Sequence, residues 1–213
     1  MSIIAFLFNW FVKITGWIPQ LFVFRIKVYY EDKTVSKRIK GKAIIVSNHN
    51  YLLDFGLLLF VFWRRTLRCA VAEIMYTKNV FMTLLLKLLG CIKVDRNSHD
   101  FTFLDKCKKV LDKGGVVEIY PEGRLPDKDD ERPLPFNTGY VHLALESGAP
   151  IIPVYNNAKH LSRERDKIII GKPINVSELY DTSLSEKENI MNINDIIRSK
   201  IIELSKELEK KEA

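Results

Sequence analysis

Cysteine is scarce in this 213-residue chain. Cys69, Cys91 and Cys107 form an odd set with no Cys-x-x-Cys pair, so no disulfide framework is expected and a reducing compartment is. The four histidines, His49, His99, His142 and His160, lack zinc-type spacing, and no metal site is expected. No Gly-x-Ser-x-Gly occurs, which excludes the strained serine elbow of one large hydrolase class. Basic residues do not interleave with aromatics as in a nucleic-acid module, so no nucleic-acid partner is expected. The chain has no internal repeat and no low-complexity tract. Its start has no basic leader and no small-x-small cleavage site, and a secretory signal is not expected.

The chain is nonetheless 47% hydrophobic, enough for a sizeable core, and its length fits one domain with an added terminal segment. That segment is residues 1–24, the most apolar stretch. Asn9, Lys13, Gly16, Pro19 and Gln20 interrupt it, so it falls short of the ~20 predominantly apolar residues that span a bilayer. Ser2, Asn9, Lys13, Gly16 and Gln20 recur at helical spacing as one narrow polar stripe. Trp10 and Trp17 suit the headgroup level. The spacing predicts two short helices broken near Pro19, lying in one leaflet as a membrane-embedded anchor. The competing reading packs the helix on the protein's own core. The net charge of +7 points to anionic partners. Arg25, Lys27, Lys33, Lys37, Arg38, Lys40 and Lys42 oppose only Glu31 and Asp32 just after the apolar segment, and Arg64, Arg65 and Arg68 form a second cluster. Cations placed so attract anionic lipid by ~1 kcal/mol each.

Residues 25–213 read as an α/β domain. Residues 24–30 and 34–39 alternate in polarity around Glu31-Asp32-Lys33 and predict a hairpin. Strands follow at 43–47, 68–73, 90–95, 115–120, 150–155 and 167–171. Helices are expected at 53–63, 76–89, 99–113 and 138–147, the last ending at Gly148, with about two dozen helical residues closing the chain. A Pro- and charge-rich loop fills 125–135. Alternating strands and helices predict a mixed, mostly parallel central sheet flanked by helices.

The most telling residues are Asn48-His49 and Asp54, after the buried strand Ala43-Ile44-Ile45-Val46. An imidazole at a strand-to-helix turn lies where α/β sheets place their sites. A carboxylate five positions later, on the first helical turn, is placed to bind one ring nitrogen and leave the other free as a base. The plainer alternative makes Asn48 or Asn50 a helix cap and Asp54 a solvated first-turn acid.

Three further segments follow in order. They are Gly90-Cys91-Ile92-Lys93-Val94-Asp95-Arg96, Tyr120-Pro121-Glu122-Gly123-Arg124 and Ala149-Pro150-Ile151-Ile152-Pro153-Val154. With His-x4-Asp they resemble the four blocks of the glycerolipid acyltransferase family, most of all the bacterial 1-acylglycerol-3-phosphate acyltransferases. The resemblance runs from Lys42 to Ile174. It departs in the third block, which lacks a threonine, so Arg124 directly follows Gly123. Either Arg124 fills the usual arginine's role from a tighter loop, or Leu125 and its neighbours have rearranged. Lys93 stands where an aromatic residue or proline is common, and no lysine precedes Gly139.

The resemblance implies transfer of a fatty acyl group from acyl-CoA or an acyl carrier protein to lysophosphatidate, giving phosphatidate, with no other cofactor. His49 is then the base and Asp54 its orienting acid. Arg96 and Arg124 are the phosphate ligands. Gly123 allows close backbone approach, and Glu122 either binds a glycerol hydroxyl or organises the arginines. Ile151, Ile152 and Val154 are core with a share in an acyl tunnel, and His99, His142 and His160 are structural. The expected place is the cytoplasmic face of the membrane, monotopic or peripheral, against membrane phospholipid. Two alternatives stay open: another acceptor, such as glycerol 3-phosphate, a lyso-aminolipid or another lysophospholipid, or a non-catalytic protein that binds phospholipid at the membrane surface.

Overall fold

Short β-branched runs build a seven-stranded sheet in the computed structural model, which describes residues 3–95 and 102–211. Two helices come first, α1 (Ile3–Thr15) and α2 (Trp17–Val23), then β1 (Lys27–Tyr30), β2 (Ala43–Ser47) and α3 (Asp54–Val61). Next come β3 (Leu67–Ala72), α4 (Ile74–Thr77), α5 (Val80–Leu89), β4 (Ile92–Val94), α6 (Thr102–Leu111) and β5 (Val116–Ile119). The chain closes with α7 (Gly139–Ser147), β6 (Ile151–Asn156), β7 (Lys167–Ile170), a 3-10 turn at Val176–Leu179 and α8 (Glu186–Lys210). The strand order is β1-β7-β6-β2-β5-β3-β4. Five strands run parallel; β7 is antiparallel to β6, and β1 runs parallel to β7.

β2 lies near the middle with all five residues buried. Its side chains alternate between two cores, as a pleated strand requires. Ile44 and Val46 join Leu111, Val141 and Ile197 on one face; Ala43 and Ile45 join Leu57, Leu58 and Phe62 on the other. Each such Ile or Leu stabilises the fold by about 1.5–3 kcal/mol. α8 is started by a capping box, in which Ser185 Oγ accepts the Glu188 N–H and Glu188 Oε2 accepts the Ser185 N–H.

Three expectations need correction. The hairpin does not form: β1 pairs in parallel with β7, and 34–39 is not a strand. Asp32 Oδ1 accepts the Thr34 N–H at 2.7 Å in a side-chain turn, and Glu31 and Asp32 are tied to Lys200 and Lys172. Val35 and Ile39, four apart, then drop into the core beside Phe62 instead of facing a partner strand. The amino-terminal break falls at Gly16, not Pro19. A Cβ at Gly16 would lie 2.7 Å from Phe60 Cζ, so only glycine lets the chain turn here against α3. Pro19 sits in the first turn of α2, where its missing N–H costs no helical hydrogen bond. The helix expected at 76–89 is two pieces, because Asn79 Oδ1 accepts the Met82 N–H and starts α5 afresh.

The polar stripe of α1 and α2 faces inward. Asn9 Nδ2 donates to Leu89 O at 2.9 Å. Lys13 Nζ donates to Trp63 O and Arg65 O at 2.8 and 2.6 Å, just beyond the carboxyl end of α3. Asn9, Lys13 and Gln20 are buried, while Ile3, Ile4, Leu7, Phe11, Ile14, Ile18, Leu21 and Phe22 are exposed, Phe22 to 76%. α5, which packs on α1, adds exposed Val80, Phe81 and Leu84. No described helix is long and apolar enough to cross a membrane.

Candidate active site

The parallel strands β2, β5 and β6 end on one side of the sheet, and each contributes to a single cluster. Beyond β2, Asn48 is clasped to the end of β6. Its Nδ2 donates to Asn156 O, and its Oδ1 accepts the Asn156 N–H, both at 2.9 Å. Beyond β5, Glu122 Oε1 accepts the His49 N–H at 2.8 Å, and Oε2 accepts the Leu134 N–H at 2.9 Å. Burial pushes the Glu122 carboxyl up, and these two N–H groups oppose the shift. Glu122 therefore pins the histidine loop to the β5–α7 loop at Leu134, and both of its oxygens are spent on backbone.

Gly123 reverses the chain beside it with φ +71°, a conformation that L side chains rarely adopt. An added Cβ would lie 2.8 Å from Asn137 Nδ2, which itself donates to Pro121 O. Gly123→Ala is therefore expected to cost about 1–2 kcal/mol of stability. It should lower turnover as well by shifting Glu122, and denaturant melts with steady-state kinetics on the same preparation check both effects.

His49 Nδ1 lies 3.0 Å from Asp54 Oδ2. That oxygen also accepts the Asn50 and Tyr51 N–H groups at 2.8 and 2.9 Å. Burial alone would raise the Asp54 carboxyl. Hydrogen bonds from His160, His49 and Tyr51 hold it below its ordinary value instead. An ionised Asp54 requires the proton on Nδ1 of His49. The lone pair of Nε2 then points away, and Nε2 has no partner among the described residues. The His49 ring stacks on Tyr120 at 4.4 Å between centroids, tilted by 28°, and its side chain keeps 18% exposure. Tyr120 OH in turn donates to buried Glu118, whose carboxyl is pushed up by burial and by the charge of Asp54. Neither Asn48 nor Asn50 caps α3, whose first turn has no side-chain cap.

Spacing did not reveal His160. Its Nε2 lies 2.8 Å from Asp54 Oδ1, and its Nδ1 lies 2.7 Å from Asp166 Oδ2. The side chains of His160, Asp54 and Asp166 are buried. The available signal was a second histidine soon after a strand with a carboxylate six residues on, a near echo of His49 and Asp54.

The cations are less gathered. Arg124 is exposed and paired with Asp130 through two hydrogen bonds, and with Asp127. Arg132, which the motifs did not single out, donates from Nη1 to Asn50 Oδ1 at 3.4 Å, one residue from His49. Arg96 and His99 lie outside the described residues. His142 is exposed on α7 and borders a cavity of ≈ 590 Å³ with Thr138, Glu186 and Met191, which includes none of the cluster above. No group of three or more metal-ligating side chains occurs among the described residues.

A family model described as Acyltransferase matches residues 25–157. The chain belongs to the acyltransferase family. It is 27% identical over 171 residues to the human 1-acyl-sn-glycerol-3-phosphate acyltransferase beta, covering 79% of this chain and 61% of that one. It is 25% identical over 207 residues to the 1-acyl-sn-glycerol-3-phosphate acyltransferase of Haemophilus influenzae, covering 92% and 84%. The Escherichia coli protein of the same name is 27% identical over 183 residues, covering 81% and 72%. Among solved structures, the 1-acyl-sn-glycerophosphate acyltransferase PlsC of Thermotoga maritima superposes with a TM-score of 0.62 at 18% identity, covering 85% of this chain and 73% of that chain. That similarity establishes the shared α/β fold. The matched family segment begins just after α2 and ends just beyond β6, so it takes in His49, Asp54 and Glu122 but stops short of His160.

Proposed function

We propose that this acyltransferase esterifies the free hydroxyl of lysophosphatidate with the acyl group of a thioester, acyl-CoA or acyl carrier protein, giving phosphatidate. The observation that carries the proposal is an imidazole whose Nδ1 is bound to an ionised Asp54 and whose Nε2 has no partner among the described residues. His49 Nε2 removes the hydroxyl proton as the oxygen attacks the thioester carbonyl. Asp54 stabilises the imidazolium while the tetrahedral adduct exists. Collapse breaks the C–S bond, and the thiolate takes the proton back from Nε2. The attacking hydroxyl is the acceptor's own, so the protein supplies no nucleophile, which agrees with the absence of a Gly-x-Ser-x-Gly elbow. Names of the relatives support lysophosphatidate as acceptor.

The phosphate is assigned to Arg96 and Arg124, as the family motifs imply, with Arg132 beside Asn50 as a further cation. Arg124 has to exchange Asp130 for the phosphate. That ion pair favours a second reading, in which the acceptor is another lysophospholipid without a free phosphate monoester. Glu122 acts here by holding the His49 loop. The exposed apolar faces of α1 and α2 support a monotopic seat on the cytoplasmic leaflet, with the basic residues after α2 facing anionic headgroups. Tyr51, Leu52 and Leu53, between His49 and Asp54, are also exposed, so apolar surface reaches the catalytic loop.

Mass spectrometry of products tests the proposal. Purified protein would receive lysophosphatidate, glycerol 3-phosphate or lysophosphatidylglycerol, each with acyl-CoA and with acyl carrier protein. Phosphatidate is the expected product. Transfer to lysophosphatidylglycerol alone would replace the acceptor, and no transfer to any of the three would remove the activity.

A further inference from the structure

His160 stands between two buried carboxylates, one on each ring nitrogen. A neutral imidazole has one donor and one acceptor nitrogen, so it would set a lone pair against a carboxylate oxygen at 2.7 or 2.8 Å. Only the imidazolium donates to both. We infer that His160 is a cationic positioning residue that holds Asp54 on His49 and offsets the charge of two buried carboxylates. The inference rests on the acyltransferase reading given above.

Charge arithmetic gives the reason. With His49 neutral, ionised Asp54 and Asp166 flanking His160 leave the cluster at minus one. Proton uptake by His49 during attack then brings it to zero. Without the His160 charge the same step would run from minus two to minus one, and two uncompensated buried carboxylates are costly. The cation also takes the Oδ1 side of Asp54, so Oδ2 is kept for His49 and the loop N–H groups.

The surroundings hold this arrangement in place. Lys159 N–H donates to Asp166 Oδ1 at 2.6 Å. The Asp166 backbone joins the end of α2 to β1, donating to Phe24 O and accepting from Lys27 N–H. Phe24 meets the His160 ring edge-on at 5.2 Å, and Tyr51 covers it at 5.6 Å. The Lys159 ammonium is turned to Glu164, and Arg25 is bound to Arg163 O. On the β5 side, the charge of Asp54 acts through space on Glu118 and Tyr120. Ala158 and Leu161, on either side of His160, take φ +49° and +58°. Left-handed backbone at two non-glycine residues persists only where the contacts they serve enforce it.

Burial opposes the His160 charge, but the hydrogen bonds and charges of Asp166 and Asp54 outweigh it and raise the group to about 9. The folded value exceeds the ordinary 6.5, so this stabilisation is complete below about pH 6.5 and is lost as pH rises through about 9.

The test uses the full chain in detergent micelles, with nitrogen NMR of the histidine rings and kinetics of native and His160→Gln proteins. In the native protein, His160 is expected to carry two N–H signals at pH 7.5. A neutral His160 ring there would overturn the inference whatever substrate the enzyme takes. Glutamine is uncharged, so in His160→Gln the His49 ring should titrate about one pH unit higher than in the native protein. The acid limb of kcat/KM should move by the same amount. A uniform loss of rate at every pH, with the His49 titration unmoved, would reduce His160 to packing. If His160→Gln does not fold, Asp166→Asn serves: the His160 ring should then titrate at lower pH than in the native protein, and an unchanged value would also overturn the inference. Failure of the native protein to acylate lysophosphatidate would leave both NMR readouts standing and count only against the proposed reaction.

Discussion

His49→Ala is expected to lower kcat/KM by about 10²–10⁴-fold, the usual contribution of a positioned general base, while the protein melts as the native one does. The substitution removes one hydrogen bond to Asp54 and uncovers one face of Tyr120, and the ring is partly exposed already. Asp54→Asn should behave differently. Oδ2 accepts from His49, Asn50 and Tyr51, and Oδ1 faces His160. An amide has one acceptor and one donor end, so either the loop N–H groups or the His160 ring would meet an N–H. Breaking a buried, multiply bonded carboxylate costs about 3–5 kcal/mol, so this variant should lose stability as well as rate. Calorimetric melts beside single-turnover kinetics separate the two substitutions. Native-level turnover by His49→Ala would take the imidazole out of the chemistry, and an unchanged melt of Asp54→Asn would contradict the four-fold bonding of the carboxylate.

Replacing Ile4, Leu7, Phe11 and Ile14 together by glutamine should detach the protein from lipid without unfolding it. All four are exposed on α1, and the buried side of that helix runs through Ala5, Asn9 and Lys13. If each outward side chain contributes about 1 kcal/mol of its ~1.5–3 kcal/mol burial value, the set contributes roughly 4 kcal/mol. That is about a thousand-fold in partitioning. Flotation with vesicles of phosphatidylcholine and phosphatidylglycerol measures it, with far-UV circular dichroism to check the fold. Because salt screens the basic residues and not the apolar face, high salt should weaken native binding only in part. Co-flotation of the four-fold variant at native levels would show that lipid contact lies elsewhere.

The sheet was readable where local pattern and final pairing agree. Ala43–Ser47 is short, β-branched and buried on both faces, and nothing else suits such a run. Thr34–Ile39 shows how alternation fails: it reports two apolar positions but not what covers them. Whether β1 paired with 34–39 or elsewhere depended on Ile168, Ile169 and Ile170 of β7, more than a hundred residues away. His49 and Asp54 were visible because one loop holds both. His160 was not, since its distance to Asp54 is set by β6 and the 156–166 loop rather than by chain spacing. The stripe on α1 was visible as a period, but its direction was not. An inward polar stripe and an outward one have the same sequence, and only Leu89 O and the carbonyls beyond α3 decide which way it turns.

Lys13 gives α1 a mechanical role. Its ammonium grips carbonyls at the foot of the helix whose head carries Asp54. Eight residues at about 1.5 Å each make that helix a strut of roughly 12 Å. If α1 beds into a leaflet as proposed, this link would tie the level of the imidazole to that of α1. An acyl acceptor whose hydroxyl rides at that level would then be met where it lies, and one seated deeper or shallower would have to be lifted or drawn down first.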